Sequence, residues 1–127
     1  MGGALVKTEK EKLFDQYIDK WVDKTYLSIW KMKIHYLSDK AYRKETGIKS
    51  NTSIACCYPR WGYLIATILV NRKVLNSVPK KDIEYYVLHE LMHIFLDEMS
   101  VSPKNEMHEE RVATLLAHSF LLAAKHD

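Results

Sequence analysis

The residues of this chain best suited to do chemistry are two histidines and a glutamate. His89 and His93 stand four residues apart in Val-Leu-His-Glu-Leu-Met-His-Ile-Phe, residues 87–95, and Glu90 directly follows the first of them. On an α-helix, residues i and i+4 lie one above the other, so both imidazoles can turn a ring nitrogen toward one ion. H-E-x-x-H is the spacing of a zinc site in which the glutamate acts as general base. Every other residue of the stretch is apolar, and a helix apolar nearly all round belongs in an interior. Unpaired polar groups there cost about 1–3 kcal/mol each. A divalent metal supplies the partner that buried imidazoles need; a pair of core histidines satisfied by backbone carbonyls is the plainer alternative. At about 100° per residue, His89, His93, Tyr86 and Asp97 share one sector with Glu90 at its margin, while Val87, Leu88, Leu91 and Phe95 fall opposite.

A catalytic zinc takes three protein ligands and keeps one position for water. After His93 the candidates for the third are Asp97, His108, Glu109, Glu110 and His118. Asp97 is one turn beyond His93 on the same helix and reads as a group beside the ligands or in solvent, so the third ligand should come from another element. Glu109 and Glu110 both border the apolar stripe of the last helical segment, and periodicity leaves the two open. Both could instead be solvated carboxylates favoured by a helix N-terminus. His108 faces away from Ala113 and Ala117, and His118 lies nearer the Glu110 side.

The elements that must position these groups follow from patterning. Residues 9–24 carry Leu13, Phe14, Tyr17, Ile18, Trp21 and Val22 at helical spacing, an amphipathic first helix. Trp30, Met32, Ile34 and Tyr36 alternate with Lys31, Lys33 and His35, the period of a half-buried strand with His35 on its wet side. Residues 38–51 are polar, contain Gly47, and read as loop with at most a helical turn. Residues 54–58 and 63–70 are β-rich runs around Pro59-Arg60-Trp61-Gly62, which suggests a hairpin. Pro79 suits the first turn of a helix reaching about Met99 that carries the motif. Ser102-Pro103 would break the chain and start a last helix, residues 104–125, with Ala113, Leu116, Ala117, Phe120 and Leu121 as its stripe. The expected fold is α+β: an N-terminal helix, a small, mainly antiparallel three-stranded sheet, the motif helix and a glutamate-bearing C-terminal helix. It would form one domain over residues 1–127, with residues 1–8 flexible.

Composition narrows the class. A chain of 127 residues fits one domain, and 47% hydrophobic with 28% charged residues is ordinary for a globular protein. The net charge of +3 comes from scattered lysines, without the run of like charges or the helix-turn-helix pattern that would point to nucleic acid. No apolar segment approaches the ~18–20 residues needed to span a bilayer. The N-terminus lacks an apolar signal core, and Val6 stands where a myristoylation signal wants Ser or Thr. A cytoplasmic monomer is the expectation. Cys56 and Cys57 are adjacent, which disfavours a disulfide between them, and read as small core residues in a reducing compartment.

The order helix, strand, loop, hairpin, H-E-x-x-H helix and glutamate-bearing helix resembles the minigluzincins and small phage-encoded zinc peptidases. In these and in the related ImmA/IrrE-type peptidases the ligand glutamate opens E-x-x-A followed by Asp or Asn. Here the matching residues are Glu110-Arg111-Val112-Ala113-Thr114. The resemblance therefore implies His89, His93 and Glu110 as metal ligands, with Glu109 as the alternative; Thr114 departs from the pattern at a position that usually contacts a ligand histidine. A rival assignment through His108 resembles SprT-like proteins, but the cysteine-rich ribbon that often accompanies those is missing.

The chemistry that follows is peptide hydrolysis by a zinc-activated water, with Glu90 taking its proton and passing it to the leaving amine. The resemblance also implies that the peptide binds along an edge strand of the hairpin. Tyr58, Arg60, Tyr86 and His118 are open candidates for stabilising the oxyanion. The alternative is a non-catalytic, zinc-stabilised protein-interaction module. Glu90 separates the two, because a structural site needs no base and closes with four ligands.

Overall fold

The computed structural model describes residues 6–25, 27–60, 62–99 and 106–125; within these, the side chains of residues 98–99, 106–109, 111–112 and 115 lie outside the description. Ser102-Pro103, expected to break the chain, also falls outside. The elements in order are α1 (Glu9–Lys24), β1 (Lys31–Leu37), α2 (Asp39–Thr46), β2 (Ala55–Arg60), β3 (Ile65–Asn71), α3 (Arg72–Leu75), α4 (Lys80–Met99) and α5 (Glu106–Ala124). This is the α+β layout expected, with two short helices added.

α1 begins at a reciprocal cap. The Thr8 hydroxyl accepts from the Glu11 N–H at 3.2 Å, and the Glu11 carboxylate accepts from the Thr8 N–H at 3.1 Å. Phe14, Ile18 and Trp21 then fall on the buried stripe. Glu11 is buried with them, and its remaining partners come from α3. Arg72 donates through Nε and Nη2, and Asn76 through Nδ2, all at 2.9 Å. Burial pushes the Glu11 carboxyl up, but the hydrogen bonds from Arg72, Asn76 and Thr8 and the Arg72 charge outweigh it and hold the group below its ordinary value.

The sheet order is β1-β3-β2, with β2 antiparallel and β1 parallel to β3. The hairpin is as expected; β1 reaches its parallel place through a crossover containing α2 and β2, so the sheet is mixed. Strand alternation turns Met32, Ile34 and Tyr36 of β1, Ala66, Ile68 and Val70 of β3 and Ala55 and Cys57 of β2 toward the core. α1 and α4 cover that face and α5 docks on α4.

Three segments depart from the sequence reading. Residues 39–46 are helical because Ser38 caps the helix, its hydroxyl accepting from the Ala41 N–H at 3.2 Å, and Gly47 closes it at φ 72°. Asn71 likewise caps α3, accepting from the N–H groups of Lys73 and Val74. β2 runs through Pro59 to Arg60. The Asn71 N–H donates to the Ile54 carbonyl at 2.9 Å, so the bonded pairs of the β2–β3 ladder recur at Cys56, Tyr58 and Arg60. Pro59 falls between them, where its missing N–H would have pointed away from β3, so it breaks no ladder bond.

Candidate metal centre

α4 is buried because its apolar residues wrap most of its circumference. Ile83, Val87, Leu88, Leu91, Met92 and Ile94 are all buried. His89 and His93 occupy the half-buried side, with side chains 15% and 13% exposed. That leaves their ring edges accessible while the helix is anchored below them. α5 lies against this side through Ala113 and Ala117, both fully buried. Their spacing of one helical turn lets two backbones approach closely without large side chains between them.

This approach brings Glu110, near the start of α5, over the two imidazoles. His89 Nε2 lies 3.1 Å from Glu110 Oε2, and His93 Nε2 lies 3.2 Å from Glu110 Oε1. The donor atoms of the three residues all lie within 4.8 Å of one another. Bonds of about 2.0–2.1 Å to a tetrahedral zinc would set neighbouring donors about 3.3 Å apart. The two nitrogen–oxygen contacts, one to each Glu110 oxygen, lie near that edge; two imidazoles and a carboxylate are the donor types of such a site, and Glu110, 59% exposed, leaves its outer side open.

Glu90 is almost fully buried at 4% exposure, with Oε2 3.3 Å from His89 Nδ1. Burial pushes His89 down, but the adjacent Glu90 carboxylate, reinforced by Glu110, more than reverses this and holds the imidazole above its ordinary value. An open cleft of about 380 Å³ runs between α4 and β2, lined by residues 52–58 and by Tyr85, Tyr86, His89, Glu90, His93 and Glu110.

The structure thus gathers His89, Glu90, His93 and Glu110 in one place. The side chains of Glu109 and His108 lie outside the description. Asp97 is half-buried and not among the grouped donors, and Thr114 makes no hydrogen bond to either histidine among the described residues. Of the oxyanion candidates, Tyr58 and Tyr86 line the cleft. Arg60 instead lies over the Tyr63 ring at 4.9 Å, and His118 stacks on Tyr85 at 4.5 Å. Tyr85 was not singled out by motif logic, yet its ring is 6.0 Å from that of His89; its place four residues before His89 was the available signal.

No family model matches the chain, and no curated protein sequence does. Among solved structures it is distantly similar to the metallopeptidase zymogen jannalysin of Methanocaldococcus jannaschii, with 18% identity and a TM-score of 0.36 over 90% of this chain and 97% of that one. Among the described residues no helix is long and apolar enough to cross a membrane.

Proposed function

We propose that the protein is a zinc metallopeptidase in which His89, His93 and Glu110 hold the ion and Glu90 is the general base. The observation that carries this reading is the convergence of three donor side chains beside an open cleft that Glu90 also lines. A zinc ion there would supply Lewis acidity, acidifying a water toward a pKa of about 7 and polarising a peptide carbonyl. Glu90 takes the proton of the attacking water on its carboxylate and delivers it to the leaving nitrogen. Its burial keeps competing solvent away from that oxygen, and the neighbouring His89 ring fixes its direction.

Substrate binding falls to β2. It is an edge strand that lines the cleft, and the ladder register points the main-chain N–H and C=O of Ala55 away from β3. An extended peptide can pair with them as an added strand. Tyr58, Tyr85 and Tyr86 then offer aromatic walls to its side chains.

The deciding experiment measures zinc by elemental analysis in the wild type and in Glu110→Gln, followed by a peptide-library cleavage screen with Glu90→Gln as control. Near-stoichiometric zinc in the wild type, weakened in Glu110→Gln, together with cleavage that Glu90→Gln abolishes, is the expected result. A folded wild type that takes up no zinc when supplied with it would sink the proposal.

A further inference from the structure

The outer face of the sheet carries three cations, Lys31, Lys33 and Arg60, of which only Arg60 has a side-chain ring or ion-pair contact among the described residues, over the Tyr63 ring. In register, Lys31, Ile65 and Arg60 form one row across the strands, and Lys33, Thr67 and Tyr58 form the next. Alternation puts all six on the side opposite the core. Lys31, Lys33 and Arg60 are exposed, and among the described residues none of them pairs with a carboxylate. Among the described residues, two acids of α2 lie near this face. Asp39 is engaged by Arg43 and Asn71, and Glu45 lies close enough to act on Tyr58 electrostatically.

Two features say what such a face would take. Lys31 and Lys33 are two residues apart on one strand, about 6.6 Å, and an extended peptide presents every second side chain to one side at that same interval. A segment with alternating acidic residues therefore matches them in both charge and period. The second feature is continuity with the cleft. Tyr58 is 44% exposed on the outer face and also lines the cleft, so a chain that leaves the cleft past Tyr58 and crosses β3 at Thr67 would reach Lys33, with Lys31 and Arg60 in the next row.

We infer that this face is an exosite: the substrate is a protein whose cleaved segment is flanked by an extended acidic stretch, and that stretch docks on Lys31, Lys33 and Arg60. The inference rests on the peptidase reading and narrows it to a substrate class.

The test uses the zinc-supplemented full chain and two fluorescent peptides that share a neutral, extended core. One carries an alternating Glu-Ser tail and the other a Gln-Ser tail. Anisotropy should show the acidic tail binding about tenfold tighter at low salt, with the preference collapsing at about 0.3 M salt. The charge-reversal variant Lys31→Glu/Lys33→Glu/Arg60→Glu, at exposed positions and checked for an unchanged melting curve, should lose it. In cleavage, the same variant should raise KM for the acidic peptide about tenfold at constant kcat. Equal binding of the two tails, or a preference that survives charge reversal, overturns the exosite. Single-stranded oligothymidylate that outcompetes the acidic peptide also overturns it, assigning the face to nucleic acid. Cleavage of both peptides with equal KM defeats the exosite alone; salt-sensitive binding of the acidic tail by a wild type that cleaves nothing defeats the peptidase reading, and with it the substrate role.

Discussion

Replacing Arg72 by Met should expose how much of this fold hangs on one buried carboxylate. Glu11 is fully buried and accepts four hydrogen bonds, two of them from Arg72. Arg72→Met keeps most of the aliphatic stem but removes both bonds and, among the described residues, the one cation paired with that carboxylate, leaving two neutral donors. Breaking a buried ion pair from one side costs about 3–5 kcal/mol, and the lower end applies because the Arg72 side chain is 20% exposed. With a urea m-value of about 1.5 kcal/mol/M, the midpoint at pH 7 should fall by about 2 M. The pH dependence carries the sharper test. In the wild type the carboxyl is held below its unfolded value of about 4.3, so its contribution is present above that pH and fades as acid protonates the native state. In the variant, burial dominates and lifts the native pKa above the unfolded one, so the penalty is relieved on acidification. The gap between the two proteins should therefore narrow from pH 7 to about pH 4.5. A midpoint shift under about 0.5 M at pH 7, or a gap that widens in acid, would refute the account of Glu11 as a charge sustained by Arg72.

Three further outcomes are expected. Ala117→Leu forces new carbon atoms into the α4–α5 contact, which should cost about 1–3 kcal/mol in thermal unfolding and let a chelator strip zinc faster, because Glu110 is carried away from the histidines. Glu90→Gln should lower turnover by about 10²–10⁴-fold while zinc content by elemental analysis stays unchanged; parallel loss of zinc would make Glu90 a ligand instead. Gly47→Ala should cost about 1 kcal/mol, read as a small drop in melting temperature, because φ is 72° while nothing lies within 4 Å of the added Cβ.

What the sequence disclosed depended on whether a signal was local. Strict helical spacing fixed α1 to its observed bounds, and the alternation of Trp30 to Tyr36 found β1 and put His35 on the exposed side. α2 was lost because its apolar content is little more than Tyr42. The caps that define it, Ser38 and Gly47, are legible only when read together. Pro59 suggested a turn because proline usually ends a strand, and only the ladder register reveals a position where no N–H is needed. Glu11 is the instructive omission. Thr8 and Glu11 have the spacing of a capping box, but the residue that makes burial tolerable is Arg72, 61 positions away. At the site, His89, Glu90 and His93 were legible from four-residue spacing, whereas Glu110 needed a family resemblance, since what aims it is the packing of Ala113 and Ala117.

The docking of α5 has a thermodynamic corollary. α5 rests chiefly on α4, and the grouped donors come from both helices, so an ion binding them would clip the two together and stabilise only the docked state. By mass action, each tenfold rise in free ion above its dissociation constant would add about 1.4 kcal/mol to the folded form. The melting temperature would then become a gauge of metal supply, and a cell short of the ion would hold a chain whose last helix is docked by packing alone.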